Sequence, residues 1–326
     1  MGFVSNSKPT PVMKESKNML KYIVKRVLSL ILVIIGVTFL VFMIMSLAPG
    51  DPARFILGDH ATPEALEEKR EELGLNDPVF VRYGRYMFGV IQGDFGVSFR
   101  TGRPVAQDIF DRFPNTLRLT LAALLVCVAL ALPLGIIAAI RQNTFIDSIC
   151  MFIALIGVSM PVFWLGLLLI LLFSLHLQLL PSFGADGFAS IILPACTLGF
   201  VYMAGIARTI RSSMLEVIRQ DYIRTAMAKG ISYGTVIQRH AVRNAMIPTL
   251  TVTGLILGIM LGGSVITETV FSWPGIGRWL VQAIFSRDTP TVLGCLILFS
   301  VCFSVVNLIV DLLYGLVDPR IRSQYK

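Results

Sequence analysis

Six continuous apolar runs, each about as long as a bilayer is thick, restrict the folds open to this chain more than any other feature. They cover residues 27–47, 117–140, 149–175, 191–207, 249–267 and 292–316. A helix needs about 20 predominantly apolar residues to cross the ~30 Å hydrocarbon core. Backbone polar groups in lipid must pair within their own segment or close a barrel. A barrel would read as short alternating strands, whereas these runs are unbroken, so six transmembrane helices are expected. Composition agrees: the chain is 55% hydrophobic and only 15% charged, where soluble domains carry about 25% charge.

Basic residues set the expected orientation. Lys14, Lys17, Lys21, Lys25 and Arg26 precede the first run, as they would in a signal peptide. Its apolar region is too long, however, and no small-x-small cleavage site follows, so it is read as a retained helix. With the N-terminus inside, the short external loops 176–190 and 268–291 hold only Arg278 and Arg287. The internal loop holds Arg208, Arg211, Arg219, Arg224, Lys229, Arg239 and Arg243, and the tail adds Arg320, Arg322 and Lys326. Short basic loops stay inside, so both termini are expected in the cytoplasm. The net charge of +8 follows from this asymmetry; a nucleic-acid partner would need the charge gathered on one face of a soluble domain. Cys127, Cys150, Cys196, Cys295 and Cys302 all fall in or beside apolar runs without His or carboxylate at ligand spacing. They read as small packing residues, and no metal site is expected.

The resulting layout is a cytoplasmic segment 1–26, a first transmembrane helix 27–47, an extracytoplasmic domain 48–116, a core 117–316 and a cytoplasmic tail 317–326. In the extracytoplasmic domain Thr62 can cap a helix starting at Pro63, Gly74 can end it, and Asp77-Pro78 can open another. Val79, Tyr83, Tyr86, Met87 and Val90 then form one stripe, able to rest on the membrane interface or pack onto the bundle. Pro133, Pro161 and Pro194 interrupt three spans; each taken singly reads as ordinary membrane proline. Gly254, Gly258 and Gly262 form a smooth ridge for close helix approach. Glu268, His176, Asn307 and Asp311 are polar groups at or inside the spans, with no obvious cation for any of them. Intramembrane polar groups are functional candidates, and Ser264 and Glu268, at the outer end of the glycine helix, are expected to line a path.

The core's largest cytoplasmic stretch is 208–247. Leu215, Ile218, Tyr222 and Ala226 share helical spacing, and Asp221 and Arg224 can support one another across a turn. Gly230 supplies a left-handed stop, and Ser232 can cap a second helix ending before Pro248. Such a hairpin can lie in the headgroups or insert into a groove on a soluble partner.

The run Arg224-Thr-Ala-Met-Ala-Lys-Gly230, followed by Arg239-His-Ala241 and Arg243-Asn-Ala-Met-Ile-Pro248, resembles the coupling loop of ABC importer permeases of the oligopeptide/dipeptide branch. Further pieces agree in order: Ala48-Pro-Gly-Asp-Pro52, Gly74-Leu-Asn-Asp-Pro78, Gly93-Asp-Phe-Gly-Val-Ser98, Ser159-Met-Pro-Val-Phe-Trp164, Leu193-Pro-Ala-Cys-Thr-Leu-Gly199, Glu268-Thr-Val-Phe-Ser-Trp-Pro-Gly275 and Asp318-Pro-Arg320. The general permease loop begins Glu-Ala-Ala and places a proline thirteen residues after its glycine. Here Arg224-Thr225-Ala226 and Arg243 stand at those positions, as in the peptide branch.

The resemblance implies a type I ABC importer permease fold, all-α, and an inner-membrane location in a prokaryote. It also implies a second homologous permease subunit, two ABC ATPase subunits and an extracytoplasmic substrate-binding protein. Asp221, Tyr222, Arg224, Thr225, Ala226, Lys229 and Gly230 would form the ATPase-coupling element, and Gly254, Gly258 and Gly262 a packing or gating ridge. Short peptides are the expected cargo, with nickel or its chelates, or another small solute, as the related alternative. The chain has no GxxxxGK[ST] loop, so ATP and Mg would belong to the partner subunits and no catalytic residue is expected here. A stand-alone secondary transporter would show inverted repeats or intramembrane ion sites, and an intramembrane hydrolase a Ser/His or paired-Asp constellation; neither pattern is present.

Overall fold

The computed structural model describes residues 11–47, 50–58 and 60–317. Ala48, Pro49, the Asp318-Pro-Arg320 motif, Arg322 and Lys326 lie outside the described residues. Thirteen α-helices are described: α1 (Pro11–Leu47), α2 (Pro52–Leu57), α3 (Pro63–Glu72), α4 (Val79–Ile91), α5 (Val105–Ile140), α6 (Phe145–Ser159), α7 (Val162–Leu169), α8 (Ala189–Ile218), α9 (Asp221–Ala228), α10 (Tyr233–Val236), α11 (Arg243–Val270), α12 (Ile276–Phe285) and α13 (Thr289–Val317). Wider π-helical turns continue α7 over Ile170–His176 and join α10 to α11 over Ile237–Val242.

Five segments are long and apolar enough to cross a membrane: Arg26–Leu47, Val105–Ile140, Ala189–Ile218, Tyr233–Val270 and Thr289–Leu312. The remaining expected span, 149–175, is not one helix. It is a pair, Phe145–Ser159 and Val162–His176, bent by 103°. The cause lies in the dipeptide at the break. Proline lacks the N–H that would continue the ladder and pushes its predecessor out of the helical region. Met160 is accordingly extended, at φ −85° and ψ 129°. Pro133 and Pro194 sit inside α5 and α8 without ending them.

The central helix is α8, which packs against α5, α6, α7 and α11. Its contact with α5 is backbone to backbone. A Cβ on Gly135 would stand 2.5 Å from the Ala207 carbonyl oxygen, and one on Gly199 would stand 2.7 Å from that of Ala123. Between lipid-solvated helices such close approach supplies the attraction, since lipid tails compete equally for apolar side chains. Around this seam Leu119, Ala123, Cys127, Leu198, Met203 and Ile206 are fully buried. The peripheral span is α1, packed mainly on α13. Asp311 does find a cation: Arg26 of α1 pairs with it, contrary to expectation from sequence.

The segment between α1 and α5 folds as a small cap. Thr62 accepts the Ala65 N–H at 3.3 Å, α3 ends at Gly74 with φ +64°, and α4 follows Asp77-Pro78. The expected stripe of α4 packs on the bundle. The Tyr83 hydroxyl donates to the Ile35 carbonyl at 2.9 Å and lies 3.0 Å from the Thr38 hydroxyl. Residues 105–116, at the end of the expected extracytoplasmic segment, form the first turns of α5. The buried Asp288 carboxylate fastens the cap to the start of α13, accepting the Ser98 hydroxyl at 2.6 Å and the Phe99 N–H at 3.1 Å.

Candidate functional site

The loop at the opposite end of the bundle from the cap begins where α8 stops. Gln220 is extended at φ −72° and ψ 148°, so Leu215 and Ile218 end one helix while Tyr222 and Ala226 belong to the next. This corrects the single helical stripe expected across them. Asp221 stands in the first turn of α9, where a negative charge complements the helix dipole, and lies 4.0 Å from Arg224. The far end is a Schellman close. Gly230 N–H donates to the Met227 carbonyl at 3.0 Å, Ile231 N–H to that of Ala226 at 3.4 Å, and Gly230 takes φ +80°.

The two faces of α9 differ in chemistry. Ile223 and Ala226 are buried in a cluster with Ala139 of α5, Ile210 and Met214 of α8, Val236 of α10, Ile237 and Ala241 of the π turn, and Ala245 of α11. Asp221, Tyr222, Arg224, Thr225, Lys229 and Gly230 are exposed, as is Met227. Of the residues expected to form the coupling element, only Ala226 turns inward. Its role is to seat the helix. Asn244 Nδ2 donates to the Tyr222 hydroxyl at 2.9 Å and pins α9 to α11.

Two features behind α9 were not legible in sequence. Arg211 of α8, one residue past Ile210, grips Asp147 of α6 with Nε and Nη2 at 2.8 and 2.7 Å. Asn143 N–H donates to the same carboxylate at 3.1 Å. The fork binds the inner ends of α6 and α8 as one body; an aspartate two residues before the apolar run 149–175 was its only sequence trace. The second helix of the loop, moreover, does not end before Pro248. It runs on through the π turn and Pro248 to Val270, one segment of 38 residues. The Ser232 hydroxyl meets that of Thr235 at 2.9 Å and caps no backbone N–H.

The glycine ridge of α11 splits into two kinds of position. A Cβ on Gly254 would stand 2.1 Å from Val310 Cγ2, and one on Gly258 3.1 Å from Phe303 Cδ2, so both meet α13. Gly262 has nothing within 4 Å. Ser264 and Glu268, expected on a path, are both 0% exposed and reach no open surface of this chain. Glu268 caps α12 instead. Its carboxylate accepts the Arg278 N–H at 3.0 Å and the Ser264 hydroxyl at 3.2 Å. Gly275 leaves it room, since a Cβ there would fall 2.4 Å from the carboxylate. The same corner is tied to α5: Thr116 Oγ1 accepts the Ile276 N–H at 2.8 Å, and Trp273 Nε1 donates to the Asn115 carbonyl at 3.0 Å. A buried carboxylate satisfied by several donors is a structural anchor.

The family described as binding-protein-dependent transport system inner membrane component matches residues 131–323, and its N-terminal counterpart matches 19–120. The dipeptide transport system permease protein DppB of Alkalihalophilus pseudofirmus is 44% identical over 332 residues, covering 93% of this chain and all of the relative. The glutathione transport system permease protein GsiC of Escherichia coli K12 is 45% identical over 304 residues, covering 93% and 99%. Among solved structures, an inward-facing form of the MetNI methionine ABC transporter superposes with a TM-score of 0.57 at 16% identity, covering 65% of this chain and 97% of that one. That likeness concerns the fold.

Proposed function

This chain belongs to the family of binding-protein-dependent transport system inner membrane components, and from that premise we propose that it forms half of a path for short peptides. It is a multi-pass permease subunit of an ABC importer. In the proposed assembly a second, homologous permease completes the path. Two ATPase subunits dock beneath α9, and a substrate-binding protein delivers cargo at the cap. ATP and Mg act in the ATPase subunits. The basic inner loop supports placing both termini in the cytoplasm, with α9 on that side and the cap outside.

The observation that carries the coupling role is the two-faced docking of α9. Its inward side, Ile223 and Ala226, is seated on the ends of α5, α8 and α11. Its outward side presents Tyr222, Arg224, Met227 and Lys229. A helix held this way passes a push on its outer face into several spans at once, and a position that differs between states is what coupling requires. The Asp147–Arg211 fork extends the same motion to α6. Peptide cargo is supported by the likeness to relatives named for dipeptide and glutathione transport.

The test uses the assembled transporter. Replacing Arg224 and Met227 together by glutamate places carboxylates on the docking face without touching the buried cluster. ATPase subunits should then fail to co-purify and dipeptide uptake should stop, while the chain stays in the membrane. Unimpaired uptake would refute docking at α9; uptake of nickel in preference to dipeptides would refute the cargo.

A further inference from the structure

The packed stripe of α4 leaves a second apolar surface on the same helix. Phe80, Phe88 and Ile91 are 68, 65 and 80% exposed. Their depth can be read from α1. The span Arg26–Leu47 has 22 residues, or about 33 Å at ~1.5 Å per residue, close to the ~30 Å of hydrocarbon. Leu47 therefore marks one boundary, and Phe42, Phe39 and Ile35 lie roughly 8, 12 and 18 Å below it. α4 meets these deep positions. Phe80 stacks on Phe39 with centroids 6.1 Å apart, and the Tyr83 hydroxyl reaches the Ile35 carbonyl. A helix whose side chains touch mid-span backbone cannot stand clear of the bilayer.

Its rotation agrees with that depth. With Tyr83 and Met87 turned to α1, helical geometry puts Phe80 and Ile91 on the deeper side and Phe88 away from the bundle. Arg82 and Arg85 fall on the shallower side. Arg82 stands over Phe42, the shallower ring, at 5.6 Å, and Arg85 reaches back to Asp77 in the cap at 2.6 Å. Cations upward and aromatics downward are the arrangement of a helix lying in the interface. The exposed face also continues that of α1, where Leu40 and Ile44 are 57 and 55% exposed.

Arg82 adds a second, independent observation. It borders a polar cleft of about 290 Å³ together with Ser46, Asp51, Arg70 and Asn76. Asp51 is taken by Arg70, at 2.7 Å, whereas Arg82 has no ion-pair partner among the described residues. A half-buried guanidinium that opens into a polar cleft rimmed by Ser46 and Asp51, at the Leu47 end of α1, is matched by a phosphate reaching down from the headgroups.

We propose that α4 lies flat in the leaflet at the Leu47 end of α1 and seats a phospholipid, its chains on Phe80, Phe88 and Ile91 and its phosphate at Arg82. The inference rests on α1 spanning the bilayer and is independent of the role of α9.

The test is made on the assembled transporter in lipid nanodiscs. Phe88→Trp adds an indole on the exposed face, and Glu68→Trp adds one on α3 as a water-side control. Relative to the parent protein, the added emission of Phe88→Trp should be quenched by lipids brominated near the headgroup end of the chain and be insensitive to aqueous iodide. The control should behave in the opposite way. Native mass spectrometry after detergent washing should find a phospholipid retained by the parent and lost from Arg82→Gln. Iodide quenching of Phe88→Trp, or quenching by neither agent, would mean that water or a protein partner covers this face. Equal phospholipid retention by Arg82→Gln would remove the phosphate contact. Either result overturns the proposal.

Discussion

Shaving Ile223 to alanine tests the force path most directly, because it alters only the buried face of α9. The side chain is 1% exposed, and full burial of an isoleucine contributes about 1.5–3 kcal/mol. The one other inward anchor of this eight-residue helix is the methyl of Ala226. Ile→Ala in a packed site costs about 2–5 kcal/mol, which equals or exceeds the whole apolar hold on α9. At about 1.4 kcal/mol per factor of ten, the balance between seated and unseated α9 shifts at least tenfold. Tyr222, Arg224 and Met227 are untouched, so ATPase subunits should still bind. The assay is peptide accumulated per ATP hydrolysed in proteoliposomes containing the full transporter. That ratio should collapse while hydrolysis continues. Ile223→Val, costing about 0.5–1.5 kcal/mol, should fall between. A ratio unchanged in Ile223→Ala would refute transmission through the buried face.

Three further outcomes follow from geometry. Gly254→Ala would set a methyl 2.1 Å from Val310 Cγ2; about 1–3 kcal/mol of overpacking should lower the melting temperature, with partial rescue by Val310→Ala, whereas Gly262→Ala should melt like the parent. Asp147→Ala strands Arg211, whose side chain is 27% exposed. It should cost about 1.5–3 kcal/mol in thermal unfolding, and the Asp147→Ala/Arg211→Ala pair should cost less than the sum of the single variants. Glu268→Ala leaves the Arg278 N–H without its acceptor, at about 1–3 kcal/mol, while the Ser264 hydroxyl keeps the Leu261 carbonyl at 2.9 Å. It should reduce the yield of folded protein more than Glu268→Gln does.

The spans were legible because lipid enforces a simple rule on every residue of a run. The caps at Thr62 and Gly230 were legible because they are local, depending on a handful of backbone atoms. What sequence hid was contact between distant positions. Glu268 reads as a polar residue at a span end until Gly275, Thr116 and the Arg278 N–H are seen closing around it. Asp311 reads as unpaired until α1 brings Arg26 alongside, and Asp147 until Arg211 arrives from 64 residues away. Proline was ambiguous for a different reason. Pro133, Pro194 and Pro248 run inside helices while Pro161 breaks one, although each follows an apolar residue and reads alike in sequence. In the loop 208–247, sequence placed a helix ending at Gly230 but not its facing, so Ala226 was grouped with residues that look the other way.

The unbroken run from Tyr233 to Val270 has a mechanical consequence. Thirty-eight residues make a rod of about 57 Å, and its contacts with α13 at Gly254 and Gly258 fall near the middle. In the proposed assembly those two glycines, packed closely on Val310 and Phe303, would offer a smooth bearing where a lever could pivot. A rocking of about 5° about such a fulcrum displaces each tip by some 2–3 Å, in opposite senses. This would carry the end beside α9 and the Glu268 corner, together with the α5 turns tied to it, in opposite senses, narrowing one mouth of the proposed path while widening the other.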